Sequence, residues 1–182
     1  NEVKVWEGVN ALRTAQLRLR RANKALSRTK PGSAGRAKAV ARLQKTHARV
    51  ARIRRRLAHD ITTWLVTHCD RVVVEDLHVA GMSRLRTLAK AIADAGLGDL
   101  RRILEYKAKW YGVEVVVADR WFPSSKTCSS CGEVKDTLLL SERTYRCEHC
   151  GFEADRDLNA AVNLARWPDR PAATGSPPLA AA

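Results

Sequence analysis

Between Gly8 and His59 the chain has no aspartate and no glutamate, although sixteen of its lysines and arginines fall there. The full 182 residues carry a net charge of +14, so everything outside that stretch is slightly acidic. A segment of one sign repels itself unless a polyanion neutralises it, and nucleic acid is the obvious candidate. The plainer alternative is an arginine-rich helix surface facing water. Long apolar runs are missing too: none approaches the roughly 20 residues that cross a bilayer, which speaks against a helical membrane span. The first third is charged where a secretory leader would show an apolar stretch. There is no GxxxxGK loop to cradle phosphates, and no Ser-His-Asp arrangement can be argued for. No tandem repeat is visible. The sequence opens on Asn1 rather than methionine, as a fragment or a processed product would.

Cysteine is scarce but concentrated. Four of the five form two CxxC pairs, Cys128/Cys131 and Cys147/Cys150, with fifteen residues between the pairs. Two thiolates three residues apart can share one metal across a tight turn, and two such pairs complete a tetrahedron, so the expectation is a zinc ribbon. Gly132 and Gly151 follow the second cysteine of each pair, where a left-handed backbone would let amides point back at the sulfurs. Metal-binding cysteines suit a reducing interior better than a secreted disulfide framework. The expected location is therefore the cell interior. Cys69 is left over and reads as a buried structural thiol.

Hydrophobic spacing organises the rest. Val5, Leu12, Leu19 and Leu26 recur every seven residues, with Val9 and Ala22 between, and predict a helix over about 9–26. SRTKPGSAG breaks it. A second helix over about 37–66 has the seam Val40, Leu43, His47, Val50, Leu57, Ile61 and Trp64, interrupted at Arg54. The pair should form an antiparallel hairpin, with Arg18, Arg20, Arg21, Arg42, Arg49, Arg52 and Arg55 facing outward as candidate nucleic-acid contacts. His47 reads as a seam or surface residue rather than a ligand. Arg71–Glu75 and Glu114–Ala118 are β-branched and apolar on both faces, as strands inside a sheet are. DLHVAGM reads as a loop, 85–95 and 100–111 as helices, and 157–166 as a last helix with Asp155 or its neighbour as cap.

The fold class is α/β, and two acids stand where chemistry could occur. Glu75 ends a strand and Asp157 lies near the start of the last helix, a common way to gather oxygen ligands for magnesium. Equally, Glu75 can simply end the strand, and Asp155 or Asp157 can cap the helix and favour its dipole. Asp119 is a further possible ligand but reads better as a turn residue. Trp121 and Phe122 should pack against the ribbon rather than stack on bases. Lys107, Lys109 and Lys126 could touch phosphate, and His149 is left out of the metal set.

VVVEDLHVAGM, LEYKAKWYGVEVVVADRWFPSSKTCSSCG and CEHCGFEADRDLNAAVNLAR, in this order, resemble the C-terminal half of the OrfB/TnpB family of insertion-sequence proteins. The similarity runs from about Arg13 to Arg166. That family is related to the type V CRISPR effectors. The resemblance implies a RuvC-like nuclease of RNase H fold with an inserted zinc ribbon, guided by RNA and cutting DNA with magnesium. It implies DNA and guide RNA as partners, neither a membrane nor a small-molecule substrate, and a place in the cytoplasm of a prokaryotic cell, associated with the nucleoid through DNA binding. Glu75 matches the second nuclease motif and Asp157 the third, with Asp155 as the alternate, and both would hold magnesium. Cys128, Cys131, Cys147 and Cys150 match the ribbon's zinc ligands. The implied division is 1–8 as a remnant of a sheet strand, 9–67 as the basic hairpin, 68–123 with 152–167 as nuclease core, 124–151 as ribbon and 168–182 as a disordered tail.

The family's first-motif aspartate should stand upstream of the hairpin, where only NEVKVWEG is found; Glu2 and Glu7 do not match it. The expectation is accordingly a partial RNase H-like fold lacking its first strands. It would be the C-terminal fragment of a transposon-encoded RNA-guided endonuclease, inactive alone. The alternative is a non-catalytic, zinc-ribbon nucleic-acid-binding remnant of a transposon protein.

Overall fold

A computed structural model describes residues 4–85, 89–139 and 141–167, which form two compact units. The first comprises the described residues up to Asp70 together with those of His78–Glu114; the second comprises Arg71–Leu77 and the described residues from Val115 onward. Among the described residues no helix is long and apolar enough to cross a membrane.

In the first unit, α1 (Ala11–Ser27) and α2 (Ala34–His68) pack against each other as the expected hairpin. Leu19, Ala22, Val50, Ala58 and Val66 are buried along these helices. The turn between them uses Gly32 at φ 76° and the Ser33 side chain, which accepts from the Arg36 amide at 3.2 Å. Such a cap contributes about 1 kcal/mol. The three helices α3 (Val79–Met82), α4 (Ala89–Ala95) and α5 (Leu97–Tyr111) follow the first strand. α5 lies along α2, so 97–111 packs with the hairpin rather than standing apart from it.

Long-range polar contacts tie this unit together. Asn10, at φ 42°, makes no side-chain cap for α1. Asp94 of α4 does so instead, accepting from the amides of Leu12 at 2.9 Å and Arg13 at 3.2 Å. Arg54 Nε donates to the same carboxylate at 3.1 Å, which explains the interruption of the α2 seam at this position. Its Nη2 is also 3.1 Å from the carboxylate but is not aligned for a hydrogen bond. Lys107 is buried, and its ammonium donates to the His59 carbonyl and to the hydroxyls of Thr62 and Thr63 at 2.6–3.0 Å. Burial holds its pKa below the usual lysine value, against the pull of Asp60. It is thus a structural side chain of α5, not a phosphate contact.

Several expectations change here. Residues 4–10 form no strand, and Val5 is exposed. Trp6 instead packs edge-on against Trp64 at 5.2 Å, with the Lys4 ammonium 4.8 Å from the Trp64 ring, so aromatic docking replaces strand pairing. Val3 and the tail from Pro168 lie outside the described residues. The stretch read as a loop contains α3, and α4 is described only from Ala89. His47 takes the surface place of the two read for it, whereas Cys69, read as buried, is only half-buried.

In the second unit, β1 (Arg71–Glu75) pairs with β2 (Glu114–Ala118) as a two-stranded sheet, and β3 (Thr144–Arg146) pairs antiparallel with β4 (Glu153–Asp155). The strand bounds match the sequence reading, but among the described residues β1 and β2 have no further neighbours, so neither lies inside a sheet. The last helix, α6 (Arg156–Ala165), packs on β1. Asp155 caps it, accepting from the amides of Asp157 and Leu158 at 2.9 and 3.1 Å.

Candidate functional site

The four cysteines come together because each pair occupies a turn between two extended segments. Cys147 and Cys150 sit between β3 and β4; Cys128 and Cys131 sit within the bridge between Thr127 and Val134. The two turns repeat the same bonds. Gly132 donates to the Cys128 carbonyl at 2.9 Å and Gly151 to that of Cys147 at 3.0 Å, both glycines having positive φ. Cys128 donates to Glu133 at 2.7 Å and Cys147 to Phe152 at 2.8 Å. The glycine amides therefore meet carbonyls rather than sulfurs. The amides that bond the Cys147 sulfur belong to Cys150 and His149, and the Cys150 amide leads in lowering that thiol to about 6. At Cys131 the Glu133 amide pulls the same way but is outweighed by burial and the neighbouring thiols, which push it up to about 12.

All four sulfurs lie within 4.8 Å of one another, with Cys128–Cys150 and Cys131–Cys147 each 3.7 Å apart. A tetrahedron with metal–sulfur bonds of about 2.3 Å has edges of about 3.8 Å. The separations are too long for disulfides, whose sulfurs sit about 2 Å apart. The residues fit a four-coordinate metal of zinc type. Behind them Tyr145 is fully buried, with Cys128, Cys147 and the partly buried Phe152. Its hydroxyl donates to the Lys126 carbonyl at 3.2 Å, and burial followed by the nearby cysteine charges pushes its pKa up to about 12. Tyr145 carries the ribbon's core, which spacing did not single out.

A buried polar clamp joins the ribbon to α6. Asn159, completely buried, donates to the Thr127 carbonyl at 2.7 Å and accepts from the Ser129 amide at 2.9 Å. Asn163, one turn later, donates to the carbonyls of Ser124 and Thr127 at 2.9 and 2.7 Å. Arg166 adds a bond to the Ser129 carbonyl at 2.6 Å. The helical spacing of four puts both amides on one face, against the loop 124–129. The same loop reaches Glu75: Ser124 Oγ donates to its Oε1 at 2.7 Å. Only the NxxxN spacing could have hinted at this clamp.

Glu75 opens into a cavity of about 370 Å³ lined also by Asp76, Asp119, Trp121, Lys126 and Leu164. Asp157 does not line it. Its side chain is 79% exposed and lies 3.5 Å from Arg156 Nε. Seven residues, or about 10 Å of helix, separate it from Leu164. Glu75 and Asp157 are thus carried on packed elements but not gathered into one cavity. Asp119 accepts from the Trp121 amide at 2.7 Å, the turn role read from the sequence. Trp121 is 85% exposed and does not pack on the ribbon, while Phe122 packs at a tilt against Trp167, ring centroids 4.6 Å apart. Asp119 turns the chain outward before the ribbon begins. Of the outward arginines, Arg18, Arg20, Arg21, Arg42, Arg49, Arg52 and Arg55 are all exposed.

These features define a mixed helix–sheet protein with a four-cysteine ribbon, and solved structures share that fold. The Cas12f1 chain of a cryo-EM complex with sgRNA and target DNA superposes with a TM-score of 0.63 at 19% identity, covering 90% of this chain and 44% of that one. Residues 1–86 match the family described as probable transposase, OrfB of IS605 type, and residues 98–164 match the TNB domain of Cas12f1-like proteins. A Streptomyces pristinaespiralis protein named as an RNA-guided DNA endonuclease is 45% identical over 152 residues, 84% of this chain and 38% of that protein. A Mycobacterium tuberculosis protein named likewise is 42% identical over 163 residues, 86% of this chain and 35% of its own. The chain belongs to the OrfB/TnpB family, and it spans little more than a third of the length of these relatives.

Proposed function

We propose that the chain is the C-terminal, ribbon-bearing part of a transposon-encoded, RNA-guided DNA endonuclease, with a partial RuvC-like core. The geometric observation that carries this reading is the bond from Ser124 to Glu75, since it ties the carboxylate that ends β1, at a cavity mouth, to the loop that carries Cys128. The likeness to relatives named for that activity supports it. In this reading Cys128, Cys131, Cys147 and Cys150 hold structural zinc, and DNA and guide RNA are the partners. Glu75 offers one carboxylate oxygen to Ser124 and the rest of the group to a hard cation. Asp157 joins it as a magnesium ligand in the complete protein, with Asp155 occupied as the helix cap. Bound magnesium would activate water and stabilise the leaving oxygen of a phosphodiester.

Two carboxylates, not gathered into one cavity, are too few to hold two such ions. The isolated 182 residues are therefore expected to bind nucleic acid and to cut it little or not at all. The test is cleavage of DNA by the chain in magnesium, with Glu75→Gln as control. Robust cutting that this substitution abolishes would overturn the incompleteness. In the longer protein with its guide RNA, Glu75→Gln should abolish cleavage while leaving RNA binding intact, and full cleavage by that variant would overturn the role of Glu75. The exposure of Asp157 favours a second reading, in which this piece acts only as a nucleic-acid-binding remnant. That reading requires the longer protein also to lack metal-dependent cutting.

A further inference from the structure

Three arginines line one groove of the helical hairpin. Arg18, Arg21, Ala22 and Ala25 occupy positions i, i+3, i+4 and i+7 of α1, one helix face, and meet Arg42 and Thr46 of α2 around a cavity of about 260 Å³. The two alanines leave the space; larger side chains there would fill it. Elsewhere the fold supplies acids where arginines need them, Asp94 for Arg54 and Asp60 for Arg56. The guanidinium groups of Arg18, Arg21 and Arg42 have no hydrogen-bond or ion-pair partner among the described residues, and the groove is lined by no carboxylate.

We infer that this groove grips the phosphodiester backbone of a nucleic-acid strand, seating phosphate between the guanidinium groups of the two helices. The inference rests on the nucleic-acid reading above and assigns it a place. Guanidinium forks match phosphate oxygens two at a time, and clustered like charge is relieved by a polyanion rather than by a neutral ligand. The Thr46 hydroxyl is already donated to the Arg42 carbonyl at 3.0 Å, so no side-chain donor other than the arginines reads the ligand. The alanine floor suits sugar edges. Recognition here is of charge and spacing, and is insensitive to base sequence.

The experiment is a salt titration of the whole chain against oligo(U) and oligo(dT), followed by fluorescence anisotropy, with helicity of each variant checked by circular dichroism. The groove variant Arg18→Gln/Arg21→Gln/Arg42→Gln is compared with Arg28→Gln/Lys38→Gln/Lys45→Gln, which removes the same charge from exposed positions outside the groove. Loss of three phosphate contacts should make the slope of log K against log salt shallower by about 2, and the outer variant should change it less. Ala25→Phe keeps every charge and fills the groove from an exposed position, and should weaken binding about tenfold. Equal slopes for the two triple variants, with wild-type affinity for Ala25→Phe, would overturn the groove while leaving nucleic-acid binding by the hairpin intact. Failure of the wild-type chain to bind either strand while it binds polyglutamate would overturn both.

Discussion

Asn10 sits in the left-handed region and leaves the first turn of α1 without a local cap, and Asp94 supplies that cap from more than eighty residues away. Its carboxylate also neutralises Arg54, whose side chain is 23% exposed against 10% for Asp94. Asp94→Ala removes a cap and strands a half-buried guanidinium, and should cost the first unit about 2 kcal/mol or more in urea unfolding. Burial raises the Asp94 pKa, but the amides of Leu12 and Arg13 and the Arg54 charge outweigh it and hold the group below its ordinary 3.8. A depressed folded pKa means the stabilisation is fully present above 3.8 and lost as pH falls through the folded value. The stability gap between wild type and Asp94→Ala should therefore be constant at neutral pH and close only in strong acid. A gap that closes near neutrality would contradict the assignment. Asn159 makes a comparable prediction in the second unit: Asn159→Ala leaves the buried Ser129 amide unpaired and should destabilise by about 2 kcal/mol, read from hydrogen exchange of α6.

The ribbon and α6 behave as one element because Asn159, Asn163 and Arg166 bond the loop that carries Cys128. Structural zinc can contribute on the order of 10 kcal/mol to a small module, so its loss should exceed what β3–β4 pairing alone can hold. Chelation is expected to disorder residues from about Thr127 to Gly151 and to raise hydrogen exchange in α6 as well. Spectra unchanged after complete metal loss would remove the ribbon's metal. An effect confined to the cysteine turns would show instead that the asparagine clamp does not transmit it. The ribbon's local elements were open to reading from the cysteine pairs and their glycines. The clamp was not, because an asparagine four residues from another is equally at home on a solvated helix.

For the molecule as a whole, charge and sheet edges pull in opposite directions. β1 and β2 pair only with each other among the described residues, Val117 is 42% exposed, and such edges favour pairing between copies. The net charge of +14 opposes that encounter, and salt screens it. Raising ionic strength should thus promote self-association, measured by sedimentation, while weakening nucleic-acid binding. Association that weakens with salt would count against edge pairing. The family relation extends the argument only as far as the matched third of each relative.

Properties set within a few residues were legible from the amino acids alone. The seven-residue leucine spacing marked α1, the valine runs marked β1 and β2 to the residue, Asp155 was one of the two caps read for α6, and the CxxC pairs announced a metal tetrahedron. Each follows from backbone preference or ligand spacing in a short window. What depended on distant partners had to await the fold. Arg54 looked like a flaw in a seam until Asp94 was placed beside it, and Lys107 looked like a free cation until α2 enclosed it. Trp121 was expected against the ribbon, yet it is 85% exposed, and of the two acids read as metal ligands Glu75 lines the cavity while Asp157 stands on an exposed face of α6. The physical reason is the same in each case: burial and charge pairing are decided by which surfaces meet, and residues dozens of positions apart meet only when the chain has folded.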